Sequence, residues 1–175
     1  MATYHFFKQG YDIPFDNFGF AVLRSHLDVP AIIASGVVNY SPLAVGGVRT
    51  ALPSTGFAST DILNLFRVPA GLHVMTGGMR ITTAGSATTT VDIGCVAGST
   101  QLASAGNDAG TWLETAATSA AANFIFDATV GTTIPPGATT PEDFFITNGS
   151  IDVTFNTAAQ LLLICDIWVI GAKVF

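Results

Sequence analysis

At 175 residues the chain suits one domain and is long enough to bury a sizeable core. Only 10% of residues are charged, against roughly 25% in an ordinary soluble domain, while 49% are hydrophobic and the mean hydropathy is +0.52. The longest apolar run, Leu161 to Ile170, is broken by Asp166 and falls well short of the ~20 residues of a spanning helix, and six cations scattered singly in a chain of net charge −6 form no stripe for nucleic acid.

Residues 1–58 read as an N-terminal arm or layer of extended segments, rich in aromatic residues and punctuated by Pro14, Pro30, Pro42 and Pro53. Its opening, Met1 to Lys8, has no basic region followed by a continuous apolar one, so Sec-type export is not expected. Ala31 to Val38 reads as a strand, and Ser41 to Thr60, rich in Pro, Gly, Ser and Thr, reads as a connection.

Residues 59–175 read as the body. Short β-branched runs separated by turn signals argue for an all-β sandwich and against βαβ units. Ile62 to Val68 is predicted as a strand ending at the turn Pro69-Ala70-Gly71. Leu72 to Thr83 follows, with Gly77-Gly78 suggesting a bulge or bend. In Ala87 to Val96, Thr89, Val91, Ile93 and Cys95 share one parity and Thr88, Thr90 and Asp92 the other, as in a half-buried strand.

Gly98 to Gly110 reads as a loop, and the alanine-rich stretch 115–122 as either a short helix or a loop. Strands are predicted at Asn123 to Asp127, Glu142 to Ile146, Ser150 to Asn156 and Gln160 to Phe175, the last pair joined as a hairpin through Asn156 to Ala159. About eight strands after Asp61 is the number of a jelly roll.

Few residues suggest chemistry. Cys95 and Cys165 lie in apolar runs without CxxC spacing and read as buried thiols. His5, His26 and His73 form no ligand pair, so no metal is expected. There is no GxSxG elbow, P-loop or GxGxxG, and Glu142 and Asp143, being adjacent, point to opposite faces of a strand. Asp92, Asp127, Asp152 and Asp166 interrupt apolar runs and read as markers of the solvent-facing parity, with Asp166 paired or at a subunit contact as the alternative. Asn148-Gly149 reads as turn chemistry. Neither a catalytic set nor a cofactor is expected.

The aromatic residues Tyr4, Phe6, Phe7, Tyr11, Phe15, Phe18 and Phe20 are the candidate partner contacts, because aromatic side chains dominate the buried centres of interfaces. The alternative is that they complete the core of their own chain.

The stretch Asp61 to Gly71, with Val68-Pro69-Ala70, followed by Ile81-Thr82-Thr83-Ala84 and Thr89-Thr90-Val91-Asp92-Ile93-Gly94, resembles capsid decoration, or cement, proteins of tailed bacteriophages. Ser150 to Asn156 is similar to their penultimate strand. The resemblance implies a jelly-roll-like β-sandwich that sits as a homotrimer on the capsid exterior of the virion and bridges major capsid proteins. Such a chain is made in the host cytoplasm and needs no nucleic acid or membrane partner. Cys95-Val96 departs from the pattern, which has a further acidic turn there, so no metal or turn role is carried over. A tail-fibre or receptor-binding module contacting glycans through Gly98 to Gly110 or Ala128 to Pro141 is the second expectation, and an enzyme, resting only on the versatility of the fold, the third.

Overall fold

The computed structural model describes residues 3–5, 13, 15–35, 55–85, 89–95, 112–127, 144–156 and 160–173. It is an all-β sandwich. The elements are β1 (Thr3–His5), β2 (Phe20–Asp28), α1 (Val29–Ser35), β3 (Ile62–Val68), β4 (Leu72–Thr83), β5 (Thr90–Gly94), β6 (Leu113–Ala117), β7 (Ala122–Asp127), β8 (Gly149–Phe155) and β9 (Ile164–Lys173).

One sheet has the order β1-β3-β8-β5-β6 and the other β2-β9-β4-β7. Apart from β1, which pairs parallel with β3, the neighbours are antiparallel. The eight antiparallel strands nest first with last: β2 pairs with β9, β3 with β8, β4 with β7 and β5 with β6. A ribbon rolled up in this way is a jelly roll. Seven of its strands follow Asp61, and the eighth, β2, comes from before residue 58, so the sandwich draws on both sides of that position.

The core lies between the sheets and follows the period of two in each strand. Ala21, Leu23 and Leu27 of β2, Cys165, Ile167 and Val169 of β9, and Ile151, Val153 and Phe155 of β8 all point inward. In β4 the inward parity changes from Leu72 and Val74 to Met79 and Ile81. Met75 is an extra residue against β9, where Val74 lies opposite Gly171 and Thr76 opposite Ile170.

Several expectations are corrected. The segment read as a strand at Ala31 to Val38 begins as helix α1: the Asp28 carboxylate accepts the Ala31 N–H at 2.9 Å as an N-cap, and Pro30 carries a preset helical φ. The alanine-rich stretch is not a helix, and only its middle is a loop. It is β6, a crossing at Thr118 to Ala121, and the start of β7, because pairing with β5 and burial of Leu113 and Ala116 override alanine's helix propensity. Of the strand expected at Glu142 to Ile146, the described residues Phe144 to Ile146 form no strand, and Phe144 makes an isolated bridge to His73. Strands β8 and β9 lie in different sheets, so the chain between them crosses the sandwich and makes no hairpin.

Asp92 and Asp152 do sit on the parity away from the core, but that side of their sheet is covered and both are buried. Their desolvation is offset by hydrogen bonds. The Asn64 amide donates to Asp152 Oδ1 at 2.5 Å, while the Asn156 amide and the Thr115 N–H each donate to Asp92 Oδ1 at 2.6 Å.

Both cysteines are buried, and there is no disulfide among the described residues. Burial pushes the Cys165 thiol from its ordinary 9.0 up to about 12, and the adjacent Asp166 carboxylate adds to the rise. A thiol whose folded pKa is raised contributes stability that is present below pH 9.0 and lost as pH climbs toward 12. Wild type is therefore expected to lose about 1.4 kcal/mol per pH unit relative to Cys165→Ala across that window. Urea melts of both proteins from pH 8 upward measure it, and parallel pH profiles would refute it.

Candidate functional site

The two outer faces of the sandwich differ. On the five-stranded sheet Asn64, Arg67, Asp92, Ser150 and Asp152 are all buried. The outer face of β2-β9-β4-β7 is open, and it carries large apolar side chains.

Strand β2 sets up that face. Phe20, Val22, Arg24 and His26 alternate with the inward Ala21, Leu23, Ser25 and Leu27, giving strict exposed–buried alternation. A turn launches the strand: Asp16 Oδ1 accepts the Phe18 and Phe20 N–H groups at 2.8 Å each, and Gly19 adopts φ +82. Phe18 stands at the turn's tip, 86% exposed, with Phe20 at 40% and Val22 at 52%.

Antiparallel register extends the face in rows. Val22 lies opposite Ile170, which faces Thr76 on β4. In the next row Arg24 lies opposite Trp168, Trp168 opposite Gly78, and Gly78 opposite Ile125, which is 66% exposed. The row beyond holds His26, Asp166, Arg80 and Asn123. The apolar half of the face thus grades into a polar half.

Gly78 has no bulge function. A Cβ there would collide with the Trp168 ring and lie 2.6 Å from the Phe124 carbonyl oxygen, so only glycine lets the indole settle across β4. With the ring so placed, Arg24, His26, Arg80, Asp166 and Trp168 border a shallow depression of about 520 Å³.

Its electrostatics are simple. His26 Nδ1 and Asp166 Oδ1 are 2.7 Å apart, and both side chains are about half exposed. A pair so solvated contributes no more than about 1 kcal/mol to stability. Among the described residues, Arg24 and Arg80 have no ion-pair partner. No group of three or more His, Cys, Asp or Glu among the described residues is arranged to hold a metal.

Of the aromatic residues singled out in the sequence, Phe18 and Phe20 lie at the end of this face, whereas Phe15 is half-buried and packs against the core. Phe6, Phe7, Tyr11 and the side chain of Tyr4 lie outside the described residues. Sequence reading missed Val22, Arg24, Arg80, Trp168 and Ile170. The signal was present in β2 as a period of two, hidden by the aromatic richness of its surroundings.

No protein-family model matches the chain, and no curated protein does. Among solved structures, the chain is similar to one from the cyanophage Pam1 capsid asymmetric unit, with 12% identity and a TM-score of 0.48 over 95% of this chain and 94% of that one. No helix among the described residues is long and apolar enough to cross a membrane.

Proposed function

We propose that the protein is a structural, non-enzymatic component of a phage virion, a capsid decoration or cement protein that docks on the shell of major capsid proteins. The observation that carries this reading is the open face of the four-stranded sheet, with Phe18, Phe20, Val22 and Ile125 exposed and Ile170 half-buried beside Val22, in a chain of unusually low charge. Apolar patches of this kind mark protein interfaces. The sequence resemblance to phage cement proteins supplies the class of partner, and the jelly roll is compatible with it.

On this reading the protein forms a homotrimer on the capsid exterior, and the aromatic residues from Tyr4 to Phe20 add contacts at the rim of the docking face. Mixing the purified chain with empty heads assembled without it tests the proposal. It is expected to be a multimer by light scattering and to cosediment with heads at icosahedral stoichiometry. A monomer that leaves heads undecorated argues against it.

A second reading, a receptor-binding module for glycans, is favoured by one feature: Trp168 beside His26 and Asp166 has the mixed aromatic and polar character of a sugar platform. Binding on a glycan array, with heads left bare, would select it.

A further inference from the structure

We infer that the depression between Arg24 and Arg80 receives a carboxylate side chain of the partner protein, with Trp168 as the floor on which the neighbouring apolar part of that partner rests. This inference depends on the docking reading, since it names the chemistry of the occupant of the same face.

Charge complementarity is the first argument. The chain has only six cations, and two of them flank one depression from β2 and β4. Asp166, the acid opposite both His26 and Arg80 in the register, is engaged by His26 at 2.7 Å. Asp28, at the end of β2, caps α1 through its bond to the Ala31 N–H. Two guanidinium groups therefore stand without an ion-pair partner among the described residues. Arginine's planar fork matches a carboxylate in a bidentate geometry.

The surroundings argue for a protein occupant. Val22 and Ile170 adjoin Arg24 and Trp168 in the next row, and Ile125 closes the far side of the Trp168 row. That apolar span runs across all four strands, much wider than one sugar ring covers. A protein surface supplies both elements at once, an acidic side chain for the arginines and aliphatic or aromatic groups for the apolar rows.

The experiment is cosedimentation of wild type, Arg24→Gln/Arg80→Gln and Val22→Asp with empty heads, from about 50 mM to about 500 mM salt. The expected result is that the arginine double variant binds at least tenfold more weakly at low salt and loses most of the wild-type salt dependence, while keeping the wild-type thermal midpoint. If it binds with wild-type affinity and salt slope while Val22→Asp does not bind, the carboxylate assignment is overturned and the docking face stands. If all three bind alike, both fall. A parallel titration uses 3′-sialyllactose and a uronic acid oligosaccharide, read by Trp168 emission in a Trp112→Phe background. No saturable response is expected, and one abolished by the arginine changes would overturn the assignment in favour of acidic sugars.

Discussion

Val22→Asp combined with Ile170→Asp is expected to abolish attachment to heads while leaving the fold intact. The two residues lie opposite each other on β2 and β9, on the outward parity, so neither contributes to the core between the sheets. Burying one aliphatic side chain contributes about 1.5–3 kcal/mol, and a carboxylate forced into the same contact without a partner adds a further penalty. Losing both aliphatic groups removes at least about 3 kcal/mol, a factor above 100 in affinity. The thermal midpoint should move by only a few degrees. Leu23→Asp is the informative control, because Leu23 sits one residue away on the inward parity and is fully buried; that variant should unfold. A folded double variant that decorates heads as wild type does would remove this face from the interface.

The sequence disclosed elements whose signals are local and concealed those decided by distant partners. Strand β4 was legible to the residue because a proline-glycine turn precedes it and β-branched and apolar residues fill it. The parity switch at Met75 was not, since a bulge is defined only against the register of β9. Gly77-Gly78 was legible as a special position, but for the wrong reason: Gly78 serves an indole ninety residues away in the chain. The strand expected at Ala31 to Val38 missed α1, whose start is set just upstream by the Asp28 cap and Pro30. Alanine propensity likewise failed at 115–122, where only pairing with β5 reveals a strand.

The candidate face suffered most from this limit. Its rows are composed of single residues from β2, β9, β4 and β7, which lie far apart in the chain and meet only because the ribbon rolls up. Trp168, Arg24 and Arg80 each look ordinary in isolation. The functional colour perceived in Phe18 and Phe20 was real exposure, but it marked the end of the face and missed its centre.

Phe155→Ala is expected to cost a large share of the total stability while leaving a protein that still folds. Phe155 is fully buried on β8, a strand inside its sheet, and its ring stacks on fully buried Phe57 with centroids 4.4 Å apart and planes 9° from parallel. Phe57 is in turn tied across the sandwich by paired backbone bonds with Gln160, its N–H donating at 3.3 Å and its carbonyl accepting at 2.9 Å. The stack therefore joins the segment entering β3 to the end of β8 and, through Gln160, to the crossing that leads from β8 into β9, parts that lie far apart in the chain. Truncating a buried phenylalanine costs about 3–5 kcal/mol, a large share of a total stability of roughly 5–15 kcal/mol. At about 2–4 °C per kcal/mol for a chain of this size, the midpoint should fall by roughly 6–20 °C. Phe57→Ala should cost a comparable amount, and the double variant less than the sum, because each single change already forfeits the ring contact, whose coupling is of order 0.5–1.5 kcal/mol. Urea unfolding of the four proteins measures the cycle. Strict additivity, or a Phe155→Ala loss below about 1 kcal/mol, is incompatible with a stack that holds the two halves of the roll together.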